Sequence, residues 1–491
     1  MELLLNPIEI RPRRLKTLDF AIRPIQRVTF SAPPMKIPNS PEQIKGSLRK
    51  RFVGTAGWSL AGHFMAQVLR FGSNLILTRL LAPDLFGVMS VAYMVFTGIA
   101  MLSDIGLGAI ASQSRRGNEP IFLNVLWVVG IVRGVAMTVI ALLLGASLSI
   151  EAVRAWLPTH SVYGDPRVPL LIAVMALCGI IDGFQSTKIF WARRNLSIRT
   201  LTKMELAVQV ATTAFILSWA FISPSIWALA VGWLFGELLR TVLSHLVLPG
   251  PPNRFEWDRT AFVEILDFGK WVLISSPLSF LLTSGDRLLL SAFLDAQAIG
   301  LYSIAVLLVV ALQSAVLKVL GSAVQPALSE VVRDRPDELK KTIYRIRGPL
   351  GVACLVPAGA LFMLGDTVIA LLYDARYAGA GWMLSAVALT LAVTQLNVFD
   401  QCLIALGRIR RLSALNAIRL VALYTFVPLG YAMYGTRGAI GAIPAAALVN
   451  AVILLGMQHH MGLLDIRREL LALPLFLIGI FGGWFVKVAV T

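Results

Sequence analysis

The sequence predicts an all-α polytopic membrane protein. Two six-helix lobes are related by a parallel pseudo-twofold repeat, and one extra C-terminal helix follows, about twelve to fourteen transmembrane helices in all. Three observations carry this reading. First, the 491 residues are 57% hydrophobic and 14% charged, with a mean hydropathy of +0.75. Soluble domains are nearer 45–50% apolar and about 25% charged, and a chain of this length cannot hide the excess in a single core. Second, from Phe52 onward, apolar runs long enough to cross about 30 Å of hydrocarbon follow one another. Third, a shift of 213 residues brings one half of the chain onto the other.

Residues 1–47 are polar, basic and rich in proline (seven in all), with no apolar stretch of the kind a secretory leader carries. They predict a disordered cytoplasmic tail. Residues 48–248 form the first six-helix lobe, with spans near 52–80, 86–113, 121–149, 168–190, 202–222 and 225–247. A polar stretch, 249–261, reads as a cytoplasmic linker between the lobes. Residues 262–460 form the second lobe, with spans near 262–292, 298–328, 343–364, 379–406, 412–433 and 437–458. Residues 461–491 hold one more span, near 470–489. The count is thirteen.

Charge placement orients the set. The net charge of +17 could point to nucleic acid, but no aromatic-studded basic face accompanies it. Eleven of the 44 Lys and Arg residues lie in residues 1–51, against four acids. Alternating sides from a cytoplasmic N-terminus gives twenty Lys/Arg in connections on that side and four (Arg154, Arg167, Arg376, Arg437) on the other. This is the positive-inside pattern of a multi-pass protein.

The repeat pairs Gly72–Gly87 with Gly285–Gly300, each a span end, a tight turn and the start of the next span at a glycine. Ser90 and Ser303 follow in register. Six spans separate the first from the seventh, so both run the same way and the repeat is parallel. Transporters built from such repeats place their substrate site at the lobe interface near midplane.

Several motifs then stand out. They are Leu77-Thr-Arg79-Leu-Leu-Ala-Pro-Asp84-Leu-Phe-Gly87, Leu102-Ser-Asp104-Ile-Gly106-Leu-Gly108, Asp267-Phe-Gly269, Gly285-Asp286-Arg287, Gly300-Leu-Tyr302-Ser303 and Pro326-Ala-Leu-Ser329. In this order and spacing, over about residues 50–460, the chain resembles Wzx-type polysaccharide flippases of the MOP exporter superfamily. The resemblance implies a non-enzymatic flippase of the bacterial inner membrane. Its substrate would be an undecaprenyl-pyrophosphate-linked oligosaccharide, moved outward for exopolysaccharide, O-antigen or capsule assembly. It implies alternating access without ATP and without cofactors. The implied partners are the lipid-linked oligosaccharide, membrane lipids, a polysaccharide polymerase and a chain-length regulator, and no nucleic acid.

The chain has no Gly-x4-Gly-Lys-Ser/Thr loop for nucleotide phosphates. Its three cysteines lack metal-site spacing. Charged side chains at midplane cost roughly 2.5–3.5 kcal/mol each and therefore face protein or water. Arg70 and Lys318 lie deepest and are the first candidates for a cationic cavity, followed by Arg133 and Arg419. Gln67 and Asn74 flank Arg70 at −3 and +4 and make one helical face polar. Asp104, Asp286 and Arg287 are candidates for ion coupling or lobe pairing. Three alternatives stay open: a cation-coupled drug antiporter of the same superfamily, a lipid II flippase, which typically has fourteen spans, and a non-transporting scaffold of a polysaccharide synthesis complex. The antiporter would need an acid in the first span, and residues 52–80 contain none.

Overall fold

The computed structural model describes residues 41–156, 158 and 161–490. Contacts divide the chain into Met1–Arg51 and Phe52–Thr491. Of the first unit only residues 41–51 are described. The expected disordered tail lies outside the described residues up to 40, and 41–47 belong to the first helix.

In the second unit most described residues are helical, with no strand among them. The helices are α1 (Pro41–Leu80), α2 (Pro83–Leu102), α3 (Leu107–Gln113), α4 (Pro120–Ser149), α5 (Glu151–Arg154), α6 (Val168–Gly183), α7 (Lys188–Arg194), α8 (Ile198–Ile222) and α9 (Ile226–Leu246). After the linker come α10 (Arg259–Phe293), α11 (Ala296–Val319), α12 (Gln325–Asp334), α13 (Leu339–Leu372), α14 (Ala380–Thr394), α15 (Val398–Ala405), α16 (Ile409–His460) and α17 (Ile466–Val490). A π-helical stretch, Leu320–Val324, joins α11 to α12 just before Pro326, whose missing N–H breaks the helical ladder.

Among the described residues ten helices are long and apolar enough to cross a membrane, or eleven if α6 and α7, bent by 62°, form one span. Two features separate this number from thirteen. Helix α16 contains a reversal at Tyr434 and Gly435, where Gly435 adopts φ +58°. A Cβ at Gly430 would come within 2.4 Å of the Gly438 carbonyl, so the two halves run back along each other. Helix α1 is not among the ten, because His63, Gln67, Arg70 and Asn74 dilute its apolar character.

The lobes meet around a contact that repeats itself. A Cβ at Gly87 of α2 would fall 1.8 Å from the Ala296 carbonyl, and one at Gly300 of α11 would fall 1.8 Å from the Pro83 carbonyl. The pairs 83/296 and 87/300 each differ by 213. Repeat-equivalent residues that touch each other lie on the pseudo-twofold axis, as in an isologous dimer interface. At the same end, Val162 N donates to Leu294 O (3.1 Å) and Ser161 Oγ to Ser291 O (2.9 Å). Reciprocally, the Tyr377 hydroxyl donates to Leu81 O (2.8 Å) and Arg376 to Thr78 O (3.2 Å). The acceptors 78/291 and 81/294 again differ by 213. Residues of both halves thus bond to each other at this end. The main apolar core runs through the same interface, from Val88 and Val91 of α2 to Tyr302 and Ala305 of α11. Hence no contact boundary falls between the lobes.

The linker is pinned to the first lobe at the basic end. Asn124 of α4 donates to Glu256 (2.8 Å) and accepts from the Arg254 N–H (3.1 Å). Arg116 donates to Asp258 (2.7 Å), to Thr260 (3.0 Å) and to Glu119 (2.9 Å). The hydrogen bonds from Arg116 and Thr260 hold the Asp258 carboxyl down at about 2.

Candidate functional site

Residues 63, 67, 70 and 74 recur every three or four positions and share one face of α1. That face meets α11 of the other lobe: Gln67 Nε2 donates to Ser314 Oγ at 3.1 Å. Lys318 lies one turn beyond Ser314 and is exposed. His63 feels the charges of both Lys318 and Arg70. Thus Gln67 of α1 meets Ser314 of α11, with Arg70 one turn along the first helix and Lys318 one turn along the second. Arg70 is exposed and makes no ion pair or side-chain hydrogen bond among the described residues. Asn74 Oδ1 is shielded from solvent and has no hydrogen-bond partner.

The other expected residues lie elsewhere, and most are occupied. Arg133 donates from Nε to Ser103 O and from a terminal nitrogen to Ala100 O, both at 2.9 Å, capping the last carbonyls of α2. Arg419 forks onto Asp400 (2.9 and 3.0 Å) and also donates to Asn450 (2.8 Å) and Asn416 (3.1 Å). Neither lies on α1 or α11. Asp104 accepts from Gly106 N (2.9 Å) and from Ser276 Oγ of α10 (3.1 Å), so it does reach across the lobes. Asp286 accepts the Tyr302 hydroxyl at 2.5 Å, a bond inside the second lobe. Asp286 and Arg287 form no ion pair with each other, because adjacent helical residues do not face one another.

Two cavities complete the picture. One, of about 370 Å³, lies within the first lobe between α1, α2, α8 and α9. Arg70 and Ser73 line it with Tyr93, Glu205, Gln209, Thr212, Trp233, Glu237 and Arg240. The other, of about 490 Å³, lies within the second lobe between α10, α11, α14 and α16, where Asp286, Arg287, Gln313, Arg419 and Asn450 line it. Their linings obey the 213-residue shift at 70/283, 73/286, 93/306, 233/446 and 237/450. Sequence reasoning missed the first cavity. Its signal is the run Glu205, Gln209, Thr212, Thr213 at helical spacing on α8, opposite Trp233, Glu237 and Arg240 on α9.

Comparison with known proteins agrees with this architecture. Residues 76–381 match the family model described as "Polysaccharide biosynthesis protein". The chain is 23% identical over 418 residues to an uncharacterized membrane protein in the cps region of Klebsiella pneumoniae, covering 83% of this chain and 81% of that one. It is 24% identical over 412 residues to the succinoglycan biosynthesis transport protein ExoT of Rhizobium meliloti, covering 83% and 79%. Among solved structures, the lipid II flippase MurJ in an inward closed conformation superposes with a TM-score of 0.68 at 12% identity, over 88% of this chain and 92% of that one. An inward-facing MATE transporter of the MOP superfamily gives 0.66 at 14%, over 83% and 98%. These two share the fold. With the family model covering more than half of its length, the chain belongs to the polysaccharide biosynthesis protein family.

Proposed function

We propose that the protein is a flippase that carries a lipid-linked oligosaccharide from the cytoplasmic to the outer leaflet of the bacterial inner membrane. One observation carries the reading: Arg70 makes no ion pair or side-chain hydrogen bond among the described residues, one turn from Gln67, which reaches Ser314 of α11 one turn before Lys318. A buried or membrane-embedded cation left open is costly unless its task is to meet an anion. An Arg fork and a compact Lys charge grip the oxygens of a pyrophosphate in complementary ways. Arg133 and Arg419, by contrast, are held by carbonyls and by a carboxylate.

In this reading the lobes are 48–248 and 262–460, the chain crosses thirteen times, and the N-terminus is cytoplasmic. The seal at Gly87/Gly300 then lies on the outer side, and the substrate enters from within. Rocking of the lobes exchanges the seal from one end to the other. With the cytoplasm negative, outward passage of a phosphate gains about 2.3 kcal/mol per charge per 100 mV, so no nucleotide is needed. The chain performs no covalent chemistry, and a polymerase and a chain-length regulator act on its product.

The test is transport in cells that lack their own copy. Arg70→Ala and Lys318→Ala abolish surface polysaccharide and accumulate the lipid-linked unit in the inner leaflet, at unchanged protein level. Arg70→Lys keeps part of the export. Normal export by Arg70→Ala overturns the assignment.

A further inference from the structure

We infer that the first-lobe cavity is a saccharide-binding site, which seats one neutral sugar ring of the head group next to Arg70. The inference rests on the flippase reading for its substrate but on separate residues for its evidence. The cavity, about 370 Å³, falls within the range of about 300–1,000 Å³ typical of small-molecule pockets. Arg70 and Arg240 balance Glu205 and Glu237, so its lining is formally neutral. That favours an uncharged, hydrogen-bonding ligand over a free cation or a second phosphate, which the two carboxylates would repel. Among the described residues no cluster of three metal-ligating side chains exists.

Two polar atoms of the lining lack partners. Thr212 Oγ1 and Trp233 Nε1 are shielded from solvent and make no hydrogen bond. Shielded groups in folded proteins are nearly always satisfied, so an open donor and an open hydroxyl in one cavity mark a ligand's place. A sugar supplies hydroxyls that accept from the indole N–H, pair with the threonine, and donate to Gln209 and to the remaining lone pairs of Glu237 and Glu205, which already pair with Arg240 (3.2 Å) and Arg193 (3.7 Å). It also needs an apolar wall for its C–H face. Tyr93 and Trp233 form one, their rings 4.6 Å apart and tilted by 56°. The fold does not require this wall: the repeat-equivalent positions in the second cavity are Val306 and Ala446, and Glu237 is replaced by Asn450.

The test uses the full-length protein in lipid nanodiscs, free of glycoside detergent. Saturation-transfer NMR with glucose, galactose, mannose and rhamnose reads saccharide contact, and calorimetry with inorganic pyrophosphate reads the Arg70 grip. At least one sugar should receive saturation from the wild type. Thr212→Val and Trp233→Phe should cut that signal about fivefold or more, the scale of one lost hydrogen bond, while Thr212→Ser keeps it. Both near-isosteric variants should still bind pyrophosphate, which certifies their fold. Equal signals in wild type and variants, or no signal from any of the sugars, overturns the saccharide assignment. Pyrophosphate binding that survives Arg70→Ala overturns the phosphate grip instead, and the two failures are thereby told apart.

Discussion

In the second-lobe cavity, Arg419 is clasped by Asp400, Asn450 and Asn416, Gln313 donates to Thr390 and Thr394, and Asp286 takes the Tyr302 hydroxyl. Arg287 is the exception there. In the first-lobe cavity, built on repeat-equivalent positions, Arg70, Thr212 Oγ1 and Trp233 Nε1 have no such partners. The two cavities share five repeat-equivalent lining positions. One satisfies its polar groups internally and acts as a strut. The other pairs Glu237 with Arg240 and Glu205 with Arg193 but leaves Arg70, Thr212 Oγ1 and Trp233 Nε1 without partners, as a pocket meant to be filled would. A polar residue in a membrane helix is therefore not read by its charge alone, but by whether its neighbours have already used it.

The sharpest way to break the comparison is to remove one arginine from each cavity. The Arg419 and Asp400 side chains are only 20% and 13% exposed. Arg419→Ala strands the carboxylate, and breaking a buried pair of this kind costs roughly 3–5 kcal/mol. Thermal unfolding in detergent should show a large loss, and Asp400→Leu in the same chain with Arg419→Leu should recover much of it. Arg70→Ala should leave unfolding nearly unchanged while abolishing export. If both substitutions destabilise alike, the two cavities play the same structural part and the contrast fails.

The next effect probes the axis that relates the cavities. An alanine methyl at Gly87 or Gly300 would drive into the opposite carbonyl. Overpacking of this kind costs typically about 1–3 kcal/mol. The contact is reciprocal, so Gly87→Ala and Gly300→Ala should lower stability by similar amounts. The double variant should depart from additivity, because the two sites share one crossing. Unequal or strictly additive losses would show that the crossing is not on a true pseudo-twofold axis.

What the sequence allowed one to foresee divides along the same physical line. The apolar helices follow from local chemistry, above all apolar length, and are legible one segment at a time. The repeat was legible around Gly87 and Gly300 because close backbone approach admits only the smallest residue there. Helix starts were less so: α10 begins at Arg259, inside the expected linker, because Asp258 caps it by accepting from Thr260 N. The partners of Arg133 and Arg419 were out of reach, since each bond spans a turn or a neighbouring helix that only packing brings near. The strip of Arg70, Gln67 and Asn74 was visible on one helix. The cavity beside it was not, because it takes four helices to close.

The smallest expected effect lies at the linker that joins the two lobes. Asp258 accepts from Arg116 and Thr260, and its carboxyl titrates at about 2 in the folded chain. An unfolded aspartate titrates near 3.9. A carboxyl depressed by folding contributes stability that is complete above its unfolded value and disappears as pH falls through its folded one. The wild type should thus lose a small increment of thermal stability between about pH 4 and pH 2, and Asp258→Asn should lack that increment while matching the wild type at pH 2. Arg116→Gln should behave in the same way, since it removes the donor rather than the acceptor. Neither change should alter which cavity binds ligand, because Asp258 bonds to Arg116 and Thr260, which line neither cavity. Should Asp258→Asn instead abolish export at neutral pH with the protein still folded, the linker would be a moving part of the rocking cycle rather than a fixed tether. The contrast between a strut-like and an open lobe would then have to include the hinge between them.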